Sequence, residues 1–363
     1  MKIGILGTGS VARSYHFPAL QSVEGAHVIA LCDESPKALS LASRALPSAR
    51  KYNQLTEMLQ NETLDLVDIA TPGFAHEFQI SQCLDRQVAV MVEKPTVVGA
   101  SSARKLMQLE QMTGQKIYPI LNYRYREASL QLHDCMKRGW LGTPEDVTCV
   151  QHGGSIYGSP RWAWNEAQTG GLLYEWAFHL IDLCVWLLGP HRRVLGIRSV
   201  YEPSLSMHTA ISALVEFDHA VATLNFKWFS SASYARLDIS GSACDATVKF
   251  QPDGFSLRSG DTTPLDELFG EVKRVSKFAF SLLSHRFKKD SYQPHLRVIS
   301  NVIGSINNAT LPAVSMRDVL PTIELVDEMQ REMINNAVPL GPGSRPQTIK
   351  NPPSNLKEDE LRA

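Results

Sequence analysis

The chain has 363 residues, with 36 Lys and Arg against 37 Asp and Glu and a formal net charge of -1. That length predicts two domains, each able to bury its own core. The near-neutral balance excludes the broad basic field that nucleic acid or an anionic membrane surface would need.

In chain order, strand-like apolar runs at Lys2 to Leu6, Val28 to Cys32, Leu64 to Ala70, Val88 to Val92 and Lys116 to Leu121 alternate with helical stretches. The helices are expected at Ser10 to Ser22, Pro36 to Ala45, Gln54 to Gln60, Phe74 to Arg86 and Ala100 to Thr113. This alternation predicts a doubly wound parallel sheet, a Rossmann domain over 1–122. Its first strand breaks into Gly7-Thr8-Gly9-Ser10-Val11-Ala12. Gly7 suits the tight turn, Gly9 lets a pyrophosphate approach the backbone, and Ala12 lets the helix sit close on its strand. The second strand ends in Asp33, about 20 residues on, where a carboxylate would hold the adenosine ribose hydroxyls. With Glu34 beside it and no Arg nearby, NAD is expected rather than NADP. The alternative role for Asp33 is capping the helix that begins near Ser35 and Pro36.

The fourth of these runs leads into Glu93-Lys94-Pro95. This puts Lys94 at the carboxyl end of a parallel strand, where open α/β sheets build their ligand crevice; a lysine there can also be a plain solvated charge.

Beyond Asn122 the pattern becomes α+β: a helix at Ala128 to Arg138, a strand at Asp146 to Gln151, a glycine-rich loop, and a long apolar helix. An antiparallel hairpin follows, Ile211 to Phe217 and Val221 to Trp228, then strands at Ala235 to Gly241 and Ala246 to Phe250. We expect a second domain over 123–340 with an open antiparallel sheet, and a polar tail over 341–363 with little structure of its own. In the loop, Tyr157, Trp162 and Trp164 can stack on a sugar ring or serve as packing. On the apolar helix, Glu175, His179 and Asp182 fall at i, i+4 and i+7 and share one face. Burying that stripe is costly unless its members pair or face a polar cavity. A helical stretch over 265–289 carries a basic face, read mainly as solvated. A last helix is expected near Arg317 to Asn335.

The 6 cysteines show no Cys-x-x-Cys spacing and read as buried thiols of a reducing compartment; no metal is assigned. The longest apolar stretch, 176–188, holds His179 and Asp182 and is too short to span a bilayer. With no signal segment before the first strand, the expectation is a cytoplasmic protein that engages no membrane and no nucleic acid.

Several motifs in this order make the chain resemble the glucose-fructose oxidoreductase / inositol dehydrogenase (Gfo/Idh/MocA) family. They are the loop Gly7 to Ala12, Asp68-Ile69-Ala70-Thr71-Pro72 followed by His76, Glu93-Lys94-Pro95, Asn122-Tyr123-Arg124, Leu141-Gly142-Thr143-Pro144, and the helix bearing His179 and Asp182. The resemblance implies assembly into homodimers or homotetramers through the open sheet. It implies that Thr71, Pro72 and His76 line the cofactor, that Glu93 and Lys94 lie near the nicotinamide, and that Asn122 and Arg124 border the cofactor and substrate. Asp182 is carried with Arg124 as a substrate contact. Lys94, Glu175 and His179 match the family's catalytic Lys, acid and His. Two departures stand out: the family commonly has Asp where this chain has Glu175, and Gly where it has Ala177.

The expected activity is reversible oxidation of a secondary alcohol of a sugar, nucleotide sugar or cyclitol. His179 takes the hydroxyl proton, Lys94 stabilises the alkoxide, and Glu175 orients His179 or binds a neighbouring hydroxyl. The alternatives are an NAD-dependent glycosidase that oxidises its sugar transiently and a regulator that binds nucleotide and sugar without turnover.

Overall fold

Successive side chains of a strand face opposite ways, and a parallel sheet covered on both faces therefore needs apolar residues at almost every position. The N-terminal strands have that composition. In β4 (Leu66–Ile69), Val67 and Ile69 enter one core while Leu66 enters another; in β5 (Ala89–Val92), Val90 and Val92 oppose Ala89 and Met91 in the same way. With β1 (Lys2–Leu6), β2 (His27–Cys32), β3 (Arg50–Tyr52) and β6 (Ile117–Pro119) they form one parallel sheet of order β3-β2-β1-β4-β5-β6. Its topological switch lies between β1 and β4, where a dinucleotide crevice opens at the carboxyl ends of the strands. The structure is a computed structural model and describes residues 1–154, 165–203, 205–230, 232–250, 252–259, 287–311, 314–335 and 337–339, with the single positions 272 and 276.

The helix after β1 is not a plain α-helix. A π-helical turn, Ala12–His16, precedes α1 (Phe17–Gln21). The other helices of this half are α2 (Pro36–Ala45), α3 (Leu55–Asn61), α4 (His76–Asp85) and α5 (Ala100–Thr113). Three-residue β3 was not expected: Arg50 and Lys51 are exposed, so its sequence has no apolar run to read.

The second sheet has the order β13-β12-β11-β7-β10-β9-β8-β14. Its strands are β7 (Pro144–Gly153), β8 (Arg193–Glu202), β9 (Met207–Glu216), β10 (Val221–Trp228), β11 (Tyr234–Gly241), β12 (Asp245–Phe250), β13 (Asp253–Arg258) and β14 (Ala337–Pro339). The expected β9–β10 hairpin is antiparallel, with Val221 opposite Glu216. The sheet is mixed rather than wholly antiparallel, because β7–β10 and β8–β14 pair in parallel. Ala222, Leu224, Phe226 and Trp228 are buried on one face, while Thr223 and Lys227 lie exposed on the other. Against the buried face pack α6 (Glu127–Lys137) and α8 (Phe178–Leu188); short α7 (Glu166–Thr169) precedes α8.

Two helices complete the described chain, α9 (Phe287–Asn307) and α10 (Met316–Asn335). Val298, Ile299, Val302 and Ile303 of α9 share a core with Ile3, Ile5, Phe17 and Ile120, so this late helix covers the N-terminal sheet. The chain thus returns to its first domain, a step no local periodicity encodes. Five of the cysteines are buried thiols and Cys244 is partly exposed; none forms a disulfide. Among the described residues, no helix is long and apolar enough to cross a membrane. The expected basic helix over 265–289 and the tail over 341–363 lie outside the described residues, apart from 272, 276 and the start of α9.

Candidate active site

The glycine turn after β1 has a backbone that only glycine tolerates. Gly7 has φ +88°, and a Cβ there would sit 2.7 Å from the Ala70 carbonyl carbon. A Cβ on Gly9, by contrast, would meet no protein atom within 4 Å. Among the described residues no packing requires glycine at position 9, and the open space above it is the room a pyrophosphate needs. Thr8 is buried, whereas Ser10 and Val11 are exposed at the start of the helix. Arg13 closes the turn by donating to the Thr8 carbonyl at 2.6 Å.

Asp33 is held against the same turn. Its Oδ2 accepts from the Thr8 N–H at 2.7 Å and the Thr8 hydroxyl at 3.0 Å, and its Oδ1 accepts from the Ser35 N–H at 2.8 Å. The cap of α2 is supplied by Ser35, whose hydroxyl accepts from Ala38 N–H. Asp33 is therefore not spent on capping, and it remains partly exposed beside the glycine turn. An acceptor in this position suits a ribose diol. The glycine turn and Asp33 together fit an NAD-type dinucleotide.

Past the switch point, the ends of β4 and β5 carry a buried polar network. Asp68 on β4 faces the same side as Leu66, toward the helix after β1. His16 Nδ1 lies 2.8 Å and 3.0 Å from the two Asp68 oxygens, and His16 Nε2 lies 3.1 Å from Glu93 Oε1. Burial alone would disfavour the imidazolium, but Asp68 and then Glu93 overcome it and His16 is pushed up to about 10. Burial would likewise raise Glu93, yet hydrogen bonds from His16 and His295 hold it well below the usual carboxylate range. His295, on α9, brings Nε2 to 3.2 Å from Glu93 Oε1. Asn122 Nδ2 lies 3.3 Å from that same Nε2. Sequence reading missed His16, Asp68 and His295 as a group, since 77 and 202 residues separate Glu93 from its two histidines.

Thr71 and Pro72 are partly exposed in the loop after β4, and Thr71 donates to Gln79 Oε1 at 2.5 Å. His76, expected along the cofactor, is buried instead: Nδ1 lies 2.8 Å from the Pro95 carbonyl oxygen and Nε2 2.9 Å from that of Thr71. It ties the loop after β4 to the loop after β5. The Lys94–Pro95 peptide bond is cis.

The apolar helix expected over 172–188 divides into a π-helical turn, Leu172–Ala177, and α8. A regular helix would direct the Glu175 carbonyl to the N–H four residues on. Here the Lys94 ammonium donates to that carbonyl at 2.9 Å. The contact brings Lys94 from the first domain to the element that carries Glu175 and His179. Among the described residues, Glu175 Oε1 is buried without a hydrogen-bond partner, and so is Trp176 Nε1. Burial raises the Glu175 carboxyl, with Lys94 opposing it. His179 stacks on Tyr123, with ring centroids 4.3 Å apart and planes 7° from parallel. Burial, and then the positive charge of Lys94, lower His179 well below the ordinary histidine value. A neutral imidazole, an ammonium and a carboxyl are what proton abstraction from an alcohol requires.

Asp182 does not join them. Its oxygens accept from Arg124 Nε and Nη2 at 2.8 Å and 2.7 Å, and Thr322 Oγ1 lies 3.0 Å away. Arg124 Nη2 also donates to the Asp318 carbonyl at 3.2 Å. Both expected substrate contacts, Arg124 and Asp182, are thus buried and used on each other. The other expected contacts, Tyr157, Trp162 and Trp164, lie outside the described residues.

Comparison with known proteins identifies the family of both domains. Residues 1–120 match the model of the oxidoreductase family with an NAD-binding Rossmann fold, and residues 129–246 match the GFO/IDH/MocA C-terminal domain. The chain is 25% identical over 225 residues to D-apiose dehydrogenase of Paraburkholderia graminis, covering 61% of this chain and 59% of that protein. It is 26% identical over 207 residues to inositol 2-dehydrogenase of Salmonella typhimurium, covering 56% of this chain and 60% of that protein. The match thus spans about three-fifths of the length of either relative. The WlbA dehydrogenase from Bordetella pertussis, in complex with NADH and UDP-GlcNAcA, shares the fold at TM-score 0.78 and 20% identity. That likeness covers 92% of this chain and 96% of WlbA.

Proposed function

The chain belongs to the Gfo/Idh/MocA family of NAD-binding oxidoreductases, and from that premise we propose that it is a dehydrogenase of a secondary alcohol on a sugar, nucleotide sugar or cyclitol. The observation that carries this reading is the Lys94 contact to the Glu175 carbonyl, which joins the strand end of the cofactor crevice to the helix of Glu175 and His179. NAD, when bound, supplies the hydride acceptor. His179, neutral at working pH, takes the hydroxyl proton of the substrate. Lys94 holds the oxygen as its negative charge grows, an electrostatic contribution made in the transition state. Glu175 has a raised carboxyl, and its unpartnered Oε1 binds a neighbouring hydroxyl. Among the described residues the indole N–H of Trp176, the next residue, is also buried without a partner, a donor that a polyol can satisfy. Thr71, Pro72, Glu93 and Asn122 border the nicotinamide half of the crevice. Assembly into a homodimer or homotetramer uses the exposed face of the second sheet, where Leu195 and Leu214 lie open.

Following reduced-nicotinamide absorbance against a panel of sugars, cyclitols and nucleotide sugars tests the proposal. One panel member should drive net reduction of NAD. Tightly held NAD with release of a glycoside product and no net reduction would overturn it.

Asp33 sets the preference for NAD over NADP. Replacing Asp33 with Asn removes charge-assisted hydrogen bonds, each worth about 1.5–3 kcal/mol, and should weaken NAD roughly 10- to 100-fold. NADP, whose 2′-phosphate the carboxylate repels, should lose nothing or gain. Equilibrium titration with both dinucleotides checks this, and an unchanged ratio rejects the assignment.

A further inference from the structure

We propose that His16, Glu93 and His295, with the Asn122 amide oxygen, form a binding site for one divalent transition cation of the zinc class. The inference shares Glu93 and Asn122 with the crevice described above, and its test is read by metal uptake rather than by turnover.

Ligand atoms about 2.0–2.1 Å from a tetrahedral ion lie roughly 3.3 Å from one another. Glu93 Oε1 stands 3.1 Å from His16 Nε2 and 3.2 Å from His295 Nε2, and one donor atom from each of the three residues lies within 4.8 Å of the others. The far nitrogen of His16 is held by Asp68, the carboxylate–imidazole arrangement that orients metal-bound histidines. Tyr15 stacks on His295 at 4.8 Å and fixes its plane.

Hydrogen-bond accounting at His295 points the same way. Its Nε2 faces a carboxylate oxygen at 3.2 Å and an amide nitrogen at 3.3 Å. Carrying a proton it serves Glu93, and a half-turn of the Asn122 amide turns an acceptor toward it as well; a cation would take that proton's place between Nε2 and Oε1. Half a turn of the Asn122 side chain then brings its Oδ1, buried without a partner, to the place of the nitrogen as a fourth donor. Charge also balances, since a dication with two neutral imidazoles offsets the buried carboxylates of Asp68 and Glu93. The ion would clip α9 to the end of β5 and the π-helical turn after β1; with every ligand buried, it acts as a structural tether.

The test uses the full chain with its bound dinucleotide, stripped with a chelator and titrated with Zn²⁺ and Co²⁺. The native protein should take up one equivalent per chain, with the visible absorption of low-coordinate Co²⁺. Asp68→Asn should weaken uptake about 10- to 100-fold through loss of the outer carboxylate, and His295→Ala should abolish saturable uptake. No stoichiometric uptake by the native chain overturns the proposal, and so does unchanged affinity in His295→Ala. Dinucleotide binding, measured in the same samples, reports on the functional reading separately.

Discussion

Replacing His179 with Asn lowers turnover about 10²- to 10⁴-fold, the range contributed by a positioned general base, and leaves NAD affinity unchanged. The separation follows from the architecture. His179 sits on α8, whose packing partners are the second sheet, Tyr123 and α10, while the dinucleotide turn and Asp33 belong to the first sheet. Asn keeps the polarity and much of the volume of the imidazole, so the loss reports on proton transfer. The pH dependence gives a second readout. Because burial and Lys94 hold His179 well below the ordinary 6.5, it stays unprotonated as pH falls through that value. The acid limb of kcat/KM should therefore lie below pH 6.5, and in His179→Asn that limb should disappear. Stopped-flow measurement of the hydride-transfer step gives both quantities. Full turnover in the variant would place the base elsewhere.

The sequence was most legible where one local rule decided the outcome. Alternating apolar runs identify the central strands of both sheets, because each must bury at least one face along its whole length. The turn at Gly7 was readable because a left-handed backbone beside the Ala70 carbonyl leaves no other residue type. Legibility fails where the deciding partner is distant. Strand β3 is held by its pairing with β2, and its own side chains are two exposed cations and a tyrosine. The two π-helical turns carry ordinary helical sequences; their extra width is visible only once Lys94 is found on the Glu175 carbonyl, or His16 between Asp68 and Glu93. His295 escaped notice because α9 follows a long segment of mixed composition and returns to the first domain. The polar stripe of the apolar helix is legible in its spacing, since Glu175, His179 and Asp182 recur at i, i+4 and i+7. Periodicity cannot say which neighbour each member finds: Glu175 Oε1 is buried without a partner among the described residues, His179 stacks on Tyr123, and Asp182 pairs with an arginine 58 residues away.

That arginine carries the second large effect. Asp182→Ala should destabilise the fold by about 3–5 kcal/mol, because it leaves the Arg124 guanidinium buried without its counter-charge. Arg124 is 4% exposed and Asp182 1%, so water cannot replace the lost partner. Two parallel hydrogen bonds, at 2.8 Å and 2.7 Å, are lost at once. The ion pair also anchors α10 through Thr322 and the Asp318 carbonyl, so the damage extends to three elements: the turn after β6, α8 and α10. For large domains each kcal/mol moves the melting temperature by about 2–4 °C, so a fall on the order of 10 °C is expected. Replacing both partners with apolar residues, Arg124→Met with Asp182→Leu, should recover much of the loss, since the penalty lies in the orphaned charge more than in the missing pair. The same variants decide between a strut and a substrate contact. A strut predicts that Asp182→Ala, assayed well below its melting temperature, keeps the KM for the alcohol while its melting temperature falls. A substrate contact predicts the reverse, a raised KM at unchanged stability.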